Sequence, residues 1–175
     1  GLQIVERLDL QEGTMYNTAA DNLVLLQDAW IWRDDLGFID NEPVWNTNYN
    51  VRYYGEQPML GGSELVRNQT AIGHLIQEDT AGLTLPYDVY VNDSLVLYGH
   101  IFTEQADDNR HDLYYSPPDI DPRYVNWWPE VVGTMYRTSI VPGQTQRMNN
   151  AFMSINFEPG KVGGVEQFGV RNSPN

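Results

Sequence analysis

The imidazoles of this chain are His74, His100 and His111, and cysteine is absent, which removes disulfides, thiolate metal sites and cysteine nucleophiles together. His74 lies between Ile72 and Ile76; under strict strand alternation these three share one face while Ala71, Gly73 and Leu75 share the other. A histidine placed so is either a core group hydrogen-bonded to a tyrosine or carbonyl, or an acid or base lining a cavity. The run Leu85 to Gln105 reads as a hairpin about a two-residue Asn92-Asp93 turn. Val91 then faces Ser94, Val89 faces Val96, Tyr87 faces Tyr98 and Leu85 faces His100, which gathers two phenols and an imidazole on one face. Asp88 points the other way, with Tyr90, Leu95 and Leu97.

Other chemistries find less support. Three histidines with a carboxylate can hold a transition metal, but no His-x-His pair or helical His-x-x-x-His spacing is present, and no metal site is assigned. Asp107-Asp108-Asn109 and Asp119 to Asp121 are calcium-type loops without the twelve-residue EF-hand pattern. Gly62-Ser63 is not a Gly-x-Ser-x-Gly elbow, and the Gly61-Gly62 and Gly163-Gly164 pairs read as turns or bulges. Asp34-Asp35 and Glu78-Asp79 read as solvated strand ends; a glycosidase needs two carboxylates converging in a cleft, which spacing does not establish.

The elements that must position these groups are strands. Short β-prone runs, Leu2 to Leu8, Leu23 to Trp32, Asn48 to Tyr54, Ala71 to Gln77, Tyr87 to Val91, Leu95 to Thr103, Val132 to Ile140, Ala151 to Phe157 and Gly164 to Val170, are separated by Gly, Pro, Asn and Asp clusters. Thr18 to Trp32 also admits a helical reading, and strand is preferred. Both faces of the 85–105 run are apolar, as in a barrel interior or a subunit interface rather than a one-sided sheet. The expectation is a single all-β domain over residues 1–175, an antiparallel barrel of about eight strands of lipocalin type, with a sandwich or jelly roll as the alternative. No internal repeat is read. The long irregular segment Glu104 to Pro129 is a candidate lid.

Ala71-Ile72-Gly73-His74-Leu75-Ile76-Gln77, then Leu85 to Val91, the Asn92-Asp93 turn and Ser94 to Phe102, resemble the central part of the allene oxide cyclase and dirigent-like barrels, with Gly73 and Gly99 as the family's glycines. Leu2-Gln3-Ile4-Val5-Glu6-Arg7 resembles the family's first strand. The resemblance covers about half the chain; Val132-Gly133-Thr134-Met135-Tyr136 stands where the family often has a Gly-Gly-Thr-Gly turn. It implies an apolar small-molecule substrate held in a barrel cavity and guided through cyclisation or isomerisation without a cofactor, by confinement and a few polar groups. In that reading His74 and His100 are the acid or base, Tyr87 and Tyr98 are hydrogen-bond donors, and Arg52 is the anion or oxyanion partner.

The formal charge of −14, with 24 acidic against 10 basic residues and Lys161 the single lysine, argues against nucleic acid and anionic membrane partners. No apolar run has the length of a membrane helix, and the compartment, secretion included, is left open, as is a homo-oligomer. Eleven tyrosines and five tryptophans equally suit a carbohydrate-binding or self-assembling β-protein, with Trp127-Trp128-Pro129 and Tyr114-Tyr115-Ser116-Pro117-Pro118 as contact surfaces. Enclosed polar groups favour the cyclase; an aromatic stripe on the outside favours the binding module.

Overall fold

A computed structural model describes residues 1–4, 6–18, 22–45, 47–104, 110–117, 120–125, 128–156 and 168–172, and no helix occurs among them. In chain order the strands are β1 (Leu2–Ile4), β2 (Arg7–Met15), β3 (Leu23–Leu25), β4 (Trp30–Ile39), β5 (Val44–Trp45), β6 (Tyr49–Tyr53), β7 (Met59–Leu60), β8 (Ile72–Gln77) and β9 (Leu83–Thr84). There follow β10 (Val89–Leu97), β11 (Ile101–Phe102), β12 (Asp112–Tyr115), β13 (Arg123–Tyr124), β14 (Val131–Arg137), β15 (Thr145–Arg147), β16 (Ser154–Asn156) and β17 (Phe168–Asn172). β2, β4, β6, β8, β10, β12 and β14 lie side by side, each pair parallel. β1, β3 and β5 form a second parallel sheet, and β7, β9 and β11 a third strip joined to the first residues of β14.

The chain is therefore a β-solenoid of about 5 turns, which corrects the expected antiparallel barrel and its sandwich or jelly-roll alternative. Partners in neighbouring coils, such as Trp30 with Asn50 and Val51 with Leu75, lie 20 and 24 residues apart, so a structural repeat exists where none was read. The error has a physical origin: apolar runs every ten to fifteen residues fit a hairpin's next strand and half a coil equally well. Parallel pairing leaves no hairpin turn to find, because each strand returns to its neighbour only after travelling round the coil.

Inward positions fill the coil. Ile31, Val51, Leu75 and Leu95 stand in register as one column and are buried, as are Leu23 and Leu25 from β3, Leu83 from β9 and Ile101 from β11. Each such side chain contributes roughly 1.5–3 kcal/mol when buried, against neighbours one coil above and below. The second apolar face of the 85–105 run is then no cavity wall. It is a solvent side on which residues stack between coils: Tyr90 is in register with Tyr114, and Val96 with Ile76.

The expected hairpin does not form. Asn92 and Asp93 lie inside β10, at a register shift against β8 between Val91 and Ser94. The Asn92 amide donates from Nδ2 to the carbonyls of Gln69 (2.9 Å) and Ile72 (3.0 Å), while Asp93 Oδ2 accepts from Asn48 Nδ2 at 2.8 Å. These side chains satisfy the groups that a bulge leaves unpaired, the task they would have had in a turn. β8 carries a matching shift against β6, between Tyr49 and Val51. Strict alternation therefore fails: Ile72 points inward with Leu75, and His74 and Ile76 lie on the partly exposed side.

Segment Glu104 to Pro129, read as an irregular lid, contains β12 and β13, and β12 is an ordinary rung with Leu113 and Tyr115 buried and Asp112 and Tyr114 half-buried. Asp107-Asp108-Asn109, Asp119, Trp127 and Gly163-Gly164 lie outside the described residues. Two acidic pairs depart from the solvated reading. Asp79 is fully buried, Glu78 pairs with Arg52, and Asp34 and Asp35 are half-buried.

Candidate functional site

The outward side of the main sheet carries ordered aromatic and guanidinium columns. On the N-terminal coils, Trp32 lies between the guanidinium groups of Arg7 and Arg52, each 4.2 Å from the ring centroid. Arg52 also donates from Nε to Glu78 Oε2 at 3.0 Å. Trp30 reaches past Asn50 to stack on His74, with centroids 6.0 Å apart and planes 7° from parallel. On the C-terminal coils, Tyr90, Tyr114 and Tyr136 form a continuous stack, with centroid distances of 4.3 and 5.1 Å. The stack follows from register, since Tyr114 pairs with both other tyrosines and parallel strands lie about 4.8 Å apart.

Tyr114 has a ring on each face, so it offers a ligand its edge and hydroxyl. Burial, with the nearby charges of Asp112 and Asp88, raises its pKa, and its hydroxyl donates to Asp112 Oδ2 at 3.4 Å. Gly169 of β17 covers Tyr136 closely; a Cβ at that position would meet the ring at 2.2 Å. Tyr90 differs, because the register of β10 with β8 starts one residue later, at the Val91–Ile72 pair. Among the described residues no ring stacks on that second face.

Tyr90 is shared by two open grooves. One, of about 390 Å³, is lined by Gln69, Thr70, Asn92, Tyr114, Ser116 and Thr138 beside it. The other, of about 480 Å³, is lined by Arg67, Tyr87, Asp88, Arg110 and His111. Arg67 lies over Tyr87, 4.6 Å from the ring centroid, and the Tyr87 hydroxyl donates to the Gly62 carbonyl at 2.8 Å. Burial, and to a lesser degree the charge of Glu64, raises the Tyr87 pKa. Asp88 Oδ1 accepts from the Asp112 amide at 3.0 Å, which ties the groove floor to β12.

The expected constellation is dispersed. Tyr87 and Tyr98 stand just beyond opposite ends of β10, whose nine residues span roughly 30 Å, so they cannot act on one small substrate. His100 sits at another corner, edge-on to Trp128 at 5.3 Å and tilted against Phe102 at 5.8 Å, with its Nδ1 buried and unpartnered. His74 and Arg52 share the outward side, each already engaged: His74 Nδ1 is 2.7 Å from Ser94 Oγ, and Arg52 is held by Glu78 and Trp32. Among the described residues no three His, Asp or Glu side chains converge as metal ligands. The sequence reading missed the tyrosine stack and the Arg67–Arg110 groove. The available signal was the spacing of Tyr90, Tyr114 and Tyr136, which matches the coil length.

No family model, curated protein or solved structure matches the chain.

Proposed function

We propose that the protein is a non-catalytic carbohydrate-binding module that seats an extended saccharide across the outward side of β8, β10, β12 and β14. The observation that carries this reading is the aromatic stripe on the outside of a filled coil. A pyranose ring has apolar C–H faces and a rim of hydroxyls, so it suits an open ring face beside amide and hydroxyl groups. Tyr90 supplies the face, and Gln69, Asn92, Ser116 and Thr138 supply the polar rim. The Tyr114 hydroxyl, which donates to Asp112 Oδ2 at 3.4 Å, offers its oxygen as an acceptor one coil away. Enclosure of an apolar substrate would require a lumen, whereas the inward positions here are occupied by Ile31, Val51, Leu75, Leu95 and their neighbours.

Rigidity supports the same use. The groove floor is a parallel sheet whose rings are fixed by register, so little side-chain freedom is lost on binding. The test is native affinity electrophoresis of the full chain through gels containing soluble polysaccharides, neutral and acidic. Retardation by at least one polysaccharide is expected, and Tyr90→Ala should weaken it about 10-fold, as for a central aromatic anchor. Migration unchanged across the panel, or a Tyr90→Ala variant retarded like the parent, overturns the proposal.

A further inference from the structure

We infer that the groove beside Tyr90 selects a saccharide bearing a carboxylate, with Arg67 and Arg110 as the clamp for the sugar's acid group. This rests on the saccharide reading and adds the ligand class. The chain carries −14 formal charge and only 10 basic residues, yet two arginines and His111 line one groove of about 480 Å³. The paired arginines lie elsewhere: Arg7 with Asp9, Arg33 with Glu64, Arg52 with Glu78, Arg137 with Asp121 and Arg171 with Glu104. Among the described residues Arg67 and Arg110 make no direct salt bridge, and both are exposed; Glu104, bridged to Arg110 through the backbone and near enough to feel its charge, gives its carboxylate to Arg171. Asp88, the carboxylate in the groove, is turned to structural use by the Asp112 amide.

Guanidinium groups recognise planar oxyanions through paired N–H donors, and Arg67 is pre-positioned by the Tyr87 ring beneath it. Tyr90 borders both grooves, so a sugar seated on its ring places substituents toward the arginines on one side and toward Asn92 and Ser116 on the other. A carboxylated sugar chain is thereby favoured over a neutral one. Attraction to the protein as a whole cannot supply that preference, because the net charge repels anions.

The experiment compares the full chain's binding, by isothermal titration calorimetry, to an oligogalacturonate, to its fully methyl-esterified form, and to a sulfated dextran oligomer of similar length. Arg67→Gln and Arg110→Gln are measured alongside, with circular dichroism confirming their fold. The acid form is expected to bind at least about 10-fold more tightly than the ester, a preference that each arginine variant reduces by weakening acid binding more than ester binding. Equal binding of acid and ester overturns this inference and leaves the saccharide reading standing. Tighter binding of the sulfated oligomer replaces carboxylate by sulfate and also overturns it. Binding of none of the three, together with no gel retardation by any polysaccharide, removes both. An acid preference that survives both substitutions refutes the assigned clamp.

Discussion

Replacing Glu64 by leucine removes the carboxylate on which a buried cluster converges. Arg33 is an inward residue of β4, 1% exposed, and Glu64 is 0% exposed. Glu64 Oε1 accepts from Arg33 Nη1, from the Tyr53 hydroxyl at 2.5 Å and from the Gly62 amide at 2.9 Å, while Arg33 Nε donates to the Gly37 carbonyl at 2.7 Å. Burial opposes charge on Arg33, but Glu64 and then Tyr53 outweigh it and raise its pKa, so the guanidinium stays charged inside the coil. Removing either partner strands the other. Glu64→Leu and Arg33→Met are each expected to cost about 3–5 kcal/mol, since an uncompensated buried charge and two orphaned donors, or a lone carboxylate, remain. The double variant removes both charges and leaves the Tyr53 hydroxyl and Gly62 amide orphaned, so it should cost about 2–4 kcal/mol, well below the sum of the singles. Urea unfolding followed by tryptophan fluorescence and circular dichroism in parallel measures all three, with coincident transitions required before free energies are compared. A double variant whose cost equals the sum of the singles within about 0.5 kcal/mol would falsify the pair as a coupled unit.

Asn92→Ala deletes both bonds that close the β10 bulge, leaving the Gln69 and Ile72 carbonyls without that donor. A loss of about 1–3 kcal/mol is expected, with faster amide exchange concentrated in β8; uniform exchange along the chain would contradict a local role. Asp79 is fully buried, with Oδ1 accepting from the Ala81 amide at 2.8 Å and Oδ2 unpartnered. Burial raises its pKa above 3.8, so folding favours the protonated acid, and the stability that proton supplies is complete below pH 3.8 and lost as pH rises through the folded value. Asp79→Asn should therefore melt higher than the parent at pH 7 and together with it at pH 3; a gap that persists at pH 3 would rule out ionisation as its cause.

Strand location was legible because alternation and β-branched content mark a strand whatever it pairs with. Tyr49–Tyr53 and Ile72–Gln77 fall inside runs read from the sequence alone, and the Thr18 to Trp32 stretch resolves to strand in β3 and the start of β4. Pairing was not legible. Asn92-Asp93 has turn chemistry, and nothing local distinguishes a turn that reverses the chain from a bulge whose side chains bond to the coil below. Asp112–Tyr115 is not legible as a strand because four residues between proline- and aspartate-rich segments carry too short a pattern. Asp79 reads as a solvated strand end, and nothing local marks Arg33 or Glu64 as buried; their burial depends on partners 31 residues apart or on a corner of the coil.

The same geometry explains why the site, too, was hidden. In a barrel, groups that act together alternate along a strand and across a hairpin, which led to Tyr87, Tyr98 and His100. In a solenoid, they recur one coil apart. Tyr90, Tyr114 and Tyr136 are separated by 24 and 22 residues, and parallel register converts that interval into a stack spaced by a single strand width. The inward column Ile31, Val51, Leu75 and Leu95 keeps the period with intervals of 20, 24 and 20, so core and site obey one rule. The coil length varies because the corners absorb insertions, such as the Gly62–Ala71 excursion that delivers Glu64 to the core and Arg67 to the groove. That excursion links stability to recognition: the segment that neutralises Arg33 inside the coil also sets the first arginine of the proposed carboxylate clamp outside it.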